Sequence, residues 1–302
     1  MKNRTKIISS ILFWVLVLLA SILLINSLSN SSFNWSFSFN DNTDRILIQE
    51  ETISDPITTL FVDWTVGSVT IEGTDQSTIK IKEYANKELS QRQQASIDVD
   101  SSTLSIESRL SSSFSFLFWQ SPINHLHVFV PYEILEKLDV QQTSGSLNIE
   151  NLTSKDININ LTSGLATQKK LVSDSLSAEM TSGNMTFEDI ESDLFNIDLT
   201  SGVVNAKRIE ADQSSIVMTS GLVNVEFINQ APSFFNGKIN AGNATIDLPE
   251  SADFTLETNI TSGNLTTNFP YSTNNDIRTY KNGRDNYTLK ITSGNVTINI
   301  QD

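Results

Sequence analysis

The feature that most constrains this chain is a Thr-Ser-Gly motif that recurs at a regular spacing. A variant, Asn240-Ala241-Gly242, fills the one gap in a series whose other glycines are Gly145, Gly164, Gly183, Gly202, Gly221, Gly263 and Gly294. The first five glycines are 19 residues apart, the next two steps are 21 residues each, and the last step is 31 residues. A fixed period of this length predicts a repeat architecture in which each unit stacks on its neighbours.

The residues around each glycine alternate between apolar and polar side chains. The third residue before it and the second after it are mostly apolar, as Leu161 and Ala166 are around Gly164. The third residue after it is Asn or Thr in every unit. This alternation is the period of a strand with one buried face. We therefore predict an all-β fold, a single β-solenoid similar to a β-helix, with coils of 19–21 residues.

Each part of the corner has an expected role in such a solenoid. The serine before the glycine is small, and we expect it to point inward. The glycine would permit a positive φ or a close approach of the next coil. The outward Thr and Asn side chains are expected to form hydrogen-bonded ladders from coil to coil.

The repeats divide the chain into a regular and an irregular part. Residues 131–302 are predicted to be the regular solenoid, with an inserted loop near 271–286 that accounts for the longest step. Residues 46–130 are predicted to be irregular first coils or a cap. Strands are expected there at Thr78–Ile81, Ile97–Val99, Thr103–Ile106 and Leu126–Val130, besides a degenerate corner at Val66–Ile71.

The start of the chain predicts a membrane anchor. Residues 7–25 form an apolar run, broken by three serines, that as a helix nearly spans a bilayer core. Three cations precede it, so residues 1–6 are predicted to be cytoplasmic and the remainder extracellular, as in a single-pass protein of the cell membrane with a signal-anchor. A cleaved signal peptide is the alternative. Residues 26–45 form a tether whose aromatic residues could rest at the headgroups or form one face of a strand: Phe33, Trp35, Phe37 and Phe39.

Charge and cysteine usage exclude several classes of partner and chemistry. The chain has no cysteine, so disulfides, thiolate metal sites and Cys nucleophiles are impossible. The formal net charge is −15, and the first 26 residues carry three cations and no acid, so the remainder carries −18. Such a body repels nucleic acid and attracts cations and cationic peptides, although the charge could serve only to keep an exported protein soluble.

The pattern as a whole resembles a known family. Its parts are the Val66–Ile71 corner, then Val128–Pro131 leading into Leu138–Val140, then the serial Thr-Ser-Gly corners. This pattern is similar to the DUF4097 family of adhesin-like β-strand-repeat proteins, and in particular to membrane-anchored members from Gram-positive bacteria, over about residues 46–302. The resemblance implies a β-solenoid at the cell envelope, sometimes found with envelope-stress systems, and it implies no catalytic residues.

Few residues in the sequence suggest chemistry. His125 and His127 share one face of a strand, a spacing that can bind a metal, but no third ligand is evident. Ser77 and Lys80 match S-x-x-K without its partner motifs. An aromatic cluster is expected to cap the open end of the solenoid or to contact a partner: Phe114, Phe116, Phe118 and Trp119. We predict no catalytic, cofactor-binding or metal-binding residue, no cofactor, and no enzymatic activity.

Three functions remain open at this point. The first is an extracellular, non-enzymatic surface module, adhesin-like or scaffolding, that binds through its flat Thr/Asn face, for example at Asn148, Asn205 and Asn224. Its partner could be the cell wall, a peptide or a membrane protein. The second is an envelope-stress accessory protein that captures cationic peptides or modulates a membrane sensor. The third is a polysaccharide-acting solenoid enzyme, because 35 acidic residues can place a carboxylate pair by chance.

Overall fold

The computed structural model describes residues 45–110, 123–132, 135–274 and 276–301. In these ranges the chain forms fourteen strands and no helix. The strands are β1 (Ile46–Ile53), β2 (Thr59–Thr74), β3 (Ile79–Ala85), β4 (Ser96–Asp100), β5 (Thr103–Glu107), β6 (Asn124–Pro131), β7 (Leu135–Met218), β8 (Leu222–Phe227), β9 (Phe234–Leu248), β10 (Phe254–Ile260), β11 (Asn264–Thr267), β12 (Ser272–Asn274), β13 (Ile277–Thr279) and β14 (Asp285–Ile300). All belong to one compact unit, Asp44–Asp302.

Several predictions concern residues outside the described ranges. They are the cytoplasmic segment 1–6, the membrane helix 7–25, the tether 26–45 except its last residue, and the aromatic cluster from Phe114 to Trp119. Within the ranges that are described, no helix is long and apolar enough to cross a membrane.

Strand β7 is the regular part of the solenoid. It runs for 84 residues because the extended chain continues around the bends of several coils. Inward and outward residues alternate along it, and the alternation breaks wherever two consecutive residues point outward. In the coil that follows Leu161 these breaks are residues 162–165, 169–170 and 174–175. Each coil therefore has three bends, which we call the first, second and third bend in chain order.

Equivalent inward residues stack along the core. The residues that stand three positions before Gly164, Gly183, Gly202 and Gly221 are at most 3% exposed. They are Leu161, Met180, Leu199 and Met218. Fully burying an apolar side chain of this size contributes about 1.5–3 kcal/mol. A single coil cannot provide this burial, so the stacking of coils provides it. The predicted all-β solenoid is confirmed for the described residues.

At the first bend the glycines stack backbone to backbone. Gly183 has a φ of 130°, and a Cβ on it would lie 2.1 Å from the carbonyl oxygen of Gly164 in the adjacent coil. The expectation that the preceding serine points inward is wrong, because Ser163, Ser182 and Ser201 are exposed. The chain places four consecutive residues outside between two inward ones, for example between Met180 and Met185, so Thr and Ser both face solvent.

The order of the coils in space differs from their order in the sequence at both ends. Strand β2 packs between β6 and β7, although β6 follows it in the chain. Strand β14 inserts between β9 and β10, so the last Thr-Ser-Gly corner is not the last in the stack. The intervening segments β3–β6 and β10–β13 then lie beyond the inserted strands. Short antiparallel strands β12 and β13 lie within 271–286, where the sequence predicts an inserted loop.

Different side chains close the two ends of the core. At the end that contains β10, Phe254 stacks on Tyr287 with ring centroids 4.4 Å apart, and Phe269 and Tyr280 pack around them. At the other end the fully buried Glu83 ties three segments together. Its carboxylate accepts hydrogen bonds from the side chains of Gln49 and Asn124 and from the backbone N–H of Ala95. Burial raises the pKa of Glu83.

Candidate functional site

A groove runs along the third bend in the described part of the chain. Its volume is about 620 Å³. Its walls are formed by the residues that stand eight and ten positions after each glycine, on either side of a buried small residue at position nine. Position eight holds Glu191 and Glu210, and position ten holds Asp174, Asp193 and Asp212. The repeat therefore brings side chains that are 19 residues apart in the sequence into two parallel rows.

The floor of the groove is narrow and well packed. The small residues at position nine are Ser154, Ser173, Ser192 and Ala211, all at most 8% exposed. The Ser173 hydroxyl donates to Ser192 Oγ at 3.0 Å, and the Ser192 hydroxyl donates to the Leu194 carbonyl at 2.9 Å. Because these hydroxyls are satisfied within the fold, the floor fixes the spacing of the two acidic rows.

The groove is strongly negative. Six carboxylates and one lysine line it, a formal charge of −5. Lys155 pairs with Glu136 at 2.7 Å near one end of the groove. Among the described residues, no lysine or arginine forms an ion pair with Asp174, Glu191, Asp193 or Asp212. These four carboxylates therefore remain available to a cationic ligand.

The acids at the second bend, unlike those four in the groove, form ion pairs with basic side chains. Arg208 donates to Asp189 Oδ1 and to Glu188 Oε1 across adjacent coils, and Lys169 pairs with Glu188 at 2.9 Å. These hydrogen bonds lower the pKa of both carboxyl groups. The acidic charge at the second bend is therefore neutralised internally, whereas four carboxylates of the groove at the third bend have no ion pair with any described residue.

The Thr/Asn face predicted from the sequence is present, and it satisfies its own hydrogen bonds. The Asn224 amide donates to Asn205 Oδ1 of the adjacent coil at 2.9 Å, and the Asn148 amide donates to Glu150 at 3.3 Å. A second ladder joins Asn264 to Asn295 and Asn295 to Asn243, each at 3.0 Å. The prediction of coil-to-coil ladders is confirmed for these asparagine pairs, whose hydrogen bonds hold coils together.

The two histidines point away from the core on β6 but bind different neighbours. His125 Nδ1 lies 2.5 Å from Ser68 Oγ, and burial, together with the charge of Arg45, lowers the pKa of His125 to about 4. His127 Nε2 lies 3.2 Å from Glu72 Oε2, and burial lowers the pKa of His127 despite this contact. No group of three or more metal-ligating side chains is present among the described residues. Ser77 is exposed, and Lys80 pairs with Glu50 on β1.

The sequence matches a protein-family model over most of the solenoid. The model is described as Toastrack DUF4097, and it matches residues 57–299. The chain belongs to the DUF4097 family. None of the curated proteins matches the sequence of this DUF4097 protein.

Solved structures resemble this DUF4097 protein at low sequence identity. A candidate adhesin from Bacteroides fragilis is 13% identical, with a TM-score of 0.49, and the match covers 85% of this chain and 97% of that one. A candidate lipid-binding protein from Parabacteroides distasonis is 15% identical, with a TM-score of 0.43, covering 86% and 98%. A candidate cell adhesion protein from Clostridium sporogenes is 13% identical, with a TM-score of 0.26, covering 84% and 99%.

The groove is the feature of this DUF4097 protein that the sequence interpretation missed. Its signal was nevertheless present. Acids stand ten residues after the glycine in three consecutive units, and eight residues after it in two of them. The Thr-Ser-Gly corner was easier to recognise because its residues are nearly invariant from unit to unit, whereas acids recur at the groove positions in only two or three units.

Proposed function

We propose that this DUF4097 protein is a non-enzymatic binding module at the outer surface of the cell membrane. The predicted helix 7–25 would anchor it, with residues 1–6 in the cytoplasm and the solenoid outside. The acidic groove is its binding surface. Its ligand is an extended cationic segment, such as a lysine- or arginine-rich peptide. The unpaired double row of carboxylates is the observation that carries this proposal.

The length of the groove suits an extended chain. Its lining runs from Glu136 to Gln230 and so crosses consecutive stacked coils. With coils about 4.8 Å apart, a groove of five or six coils is roughly 25 Å long, which corresponds to about seven or eight residues of extended peptide. A peptide in this groove would follow the stacking direction and meet acids at both positions in two consecutive coils and at position ten alone in the coil before them.

The groove also offers limited apolar contact. Val172 is 41% exposed on its wall, and Leu135 and Ala211 form part of its lining. The aliphatic stems of lysine and arginine can cover such surface while their charged ends reach the carboxylates. Binding should therefore depend mainly on charge, with a smaller contribution from packing.

The proposed binding can be tested by fluorescence anisotropy with a labelled octalysine peptide and the full chain in detergent micelles. Replacing Asp174→Asn and Asp193→Asn together should weaken binding at least about fivefold. The matched control is Glu179→Gln with Asp198→Asn. These acids lie in the same two coils on another face, so the control changes the net charge equally.

The outcome separates groove binding from general attraction. Binding should weaken steeply as the salt concentration rises, because the Debye length falls from ~10 Å at 0.1 M to ~3 Å at 1 M. Equal losses in the groove and control variants would show that the peptide follows the net charge alone. In that case the groove is not the binding surface.

A second candidate function is adhesin-like recognition through the Thr/Asn face. The observation in its favour is the regular row of amide and hydroxyl groups at one repeat position, including Asn205 and Asn224. Alanine substitutions at Asn148, Asn205 and Asn224 should abolish attachment of coated beads to a surface if this face mediates adhesion. Unchanged attachment would remove it, and the same beads carrying the Asp174→Asn, Asp193→Asn variant would then report on the groove.

A further inference from the structure

The end of the stack that contains β11 has an open edge. Among the described residues, β11 pairs with β14 alone. The corner that precedes β11 is likewise hydrogen-bonded only on its inner side. There Thr261 and Ser262 donate their backbone N–H groups to carbonyl oxygens of the adjacent coil at 2.9 Å. Residues 259–264 are all exposed. The outer side of residues 259–267 therefore presents backbone donors and acceptors to solvent.

Other outer strands carry charges that discourage pairing with another chain. Strand β1 has Glu50 and Glu51, and β4 has Asp98 and Asp100. Strands β11 and β12 contain only Asn, Leu, Thr and Ser. Charged residues and proline are the usual protection of a sheet edge, and β11 has neither.

Apolar side chains are exposed at the same end. Ile260 is 36% exposed, Tyr271 42% and Ile277 43%. Residues 251–301 contain four acids and four bases, whereas residues 131–250 contain seventeen acids and seven bases. Electrostatic repulsion between two copies is therefore weakest where their edges are open.

We propose that this edge is a self-association surface on which two copies of the chain pair β11 with β11. A twofold axis makes the two strands antiparallel and uses the same patch on both copies. Stacking the edge on the opposite end of another copy is disfavoured, because β1 and β4 there carry acids. Pairing of β11 with β11 consumes both open edges, so assembly stops at the dimer.

Pairing at β11 determines where the β1 strands of the two copies lie. Strands β1 and β11 belong to opposite ends of the sheet order. In a dimer joined at β11, the two β1 strands are therefore far apart. Two anchored copies could then connect two facing surfaces. This association does not involve the acidic groove, so the two proposals can fail independently.

A cross-linking experiment tests the contact directly. The chain contains no cysteine, so a single introduced cysteine reports one position. Thr266→Cys places a thiol on β11, and Thr186→Cys places it at the same repeat position inside the stack. With a short bismaleimide and the full chain in detergent micelles, Thr266→Cys should give mainly covalent dimer and Thr186→Cys mainly monomer. Equal cross-linking of the two variants would overturn the proposal.

A second measurement covers the case in which cysteine disturbs the edge. Light scattering of the wild-type chain should show a protein mass that rises with concentration from 33.5 kDa towards twice that value. Asn264→Lys with Thr266→Lys should weaken the dimer at least tenfold, because paired edges would then oppose like charges. The control, Asn184→Lys with Thr186→Lys, uses the same repeat positions inside the stack and should dimerise like wild type. A wild-type chain that stays monomeric at every concentration would contradict the proposal.

Discussion

Replacing Gly183 by alanine should destabilise the solenoid far more than its partly exposed position suggests. The φ of 130° is one that side-chain-bearing residues rarely adopt. The added Cβ would lie 2.1 Å from the Gly164 carbonyl oxygen and 2.9 Å from its nitrogen. Both contacts are with backbone, so no side-chain rotation relieves them. One coil has to move away from the next.

The expected magnitude has two parts. Holding a non-glycine residue in an unfavourable backbone conformation costs about 1–3 kcal/mol. Forcing an extra methyl group into a packed contact costs typically another ~1–3 kcal/mol. We therefore expect Gly183→Ala to lower the free energy of unfolding by about 2–5 kcal/mol.

Two control variants separate this mechanism from simpler ones. Ser182→Ala changes the exposed neighbour and should stay within about 0.5 kcal/mol of wild type. Gly237→Ala adds the same methyl group where φ is not positive and where the nearest atom is the flexible Leu289 Cδ1, at 2.7 Å. Since that side chain can move, and alanine also restricts the unfolded chain, we expect a loss of no more than about 1–2 kcal/mol.

Equilibrium urea unfolding followed by circular dichroism measures all three variants. The variants are compared by the urea concentration at the midpoint of unfolding. This comparison is valid when the slope of the unfolding free energy against urea concentration is the same for all variants. If Gly183→Ala were as stable as Ser182→Ala, backbone stacking at the first bend would not require glycine.

Three further outcomes follow from buried groups. Gln168 is fully buried and neither of its amide atoms has a protein partner, so Gln168→Met should raise the thermal midpoint, and a lower midpoint would indicate a hidden partner such as an internal water. Tyr287→Phe removes the hydroxyl that donates to the Pro232 carbonyl at 2.9 Å and should cost about 1–2 kcal/mol in urea unfolding, whereas no loss would mean that the carbonyl finds another donor. Burial lowers the pKa of His125 to about 4, so the contribution of His125 to stability should be constant above about pH 6.5 and fall as the pH drops towards 4. His125→Gln should reduce the slope between pH 6.5 and 5, and an unchanged slope would assign the dependence to other groups.

The fold was predictable because its signal is repeated. A single Thr-Ser-Gly carries little information, but the 19-residue step through four intervals admits few architectures besides stacked coils. The apolar residues flanking Gly164 and its equivalents also identified the inward positions correctly. The serine was misplaced because strict alternation was extended through the first bend, where four consecutive residues lie outside.

Other features could not be predicted because the sequence gives them no distinctive residue. Asn151, Lys170, Asp189 and Arg208 adopt φ values of 52–58° at the second bend without glycine. The insertion of β14 between β9 and β10 could not be predicted, because the repeated corners have similar residues at equivalent positions and so do not specify which corner stacks on which. The groove could not be predicted without knowing the position of the third bend, which brings the side chains at positions eight and ten to the same cleft.

The proposed binding function is tested most directly by zero-length carbodiimide coupling of octalysine to the chain, with the coupled acids identified by mass spectrometry. The reagent joins an amine to a carboxylate only where the two are in contact. We predict coupling concentrated on Asp174, Glu191, Asp193 and Asp212, and little on Asp198, which lies on another face. Coupling spread evenly over the exposed acids would contradict a binding groove.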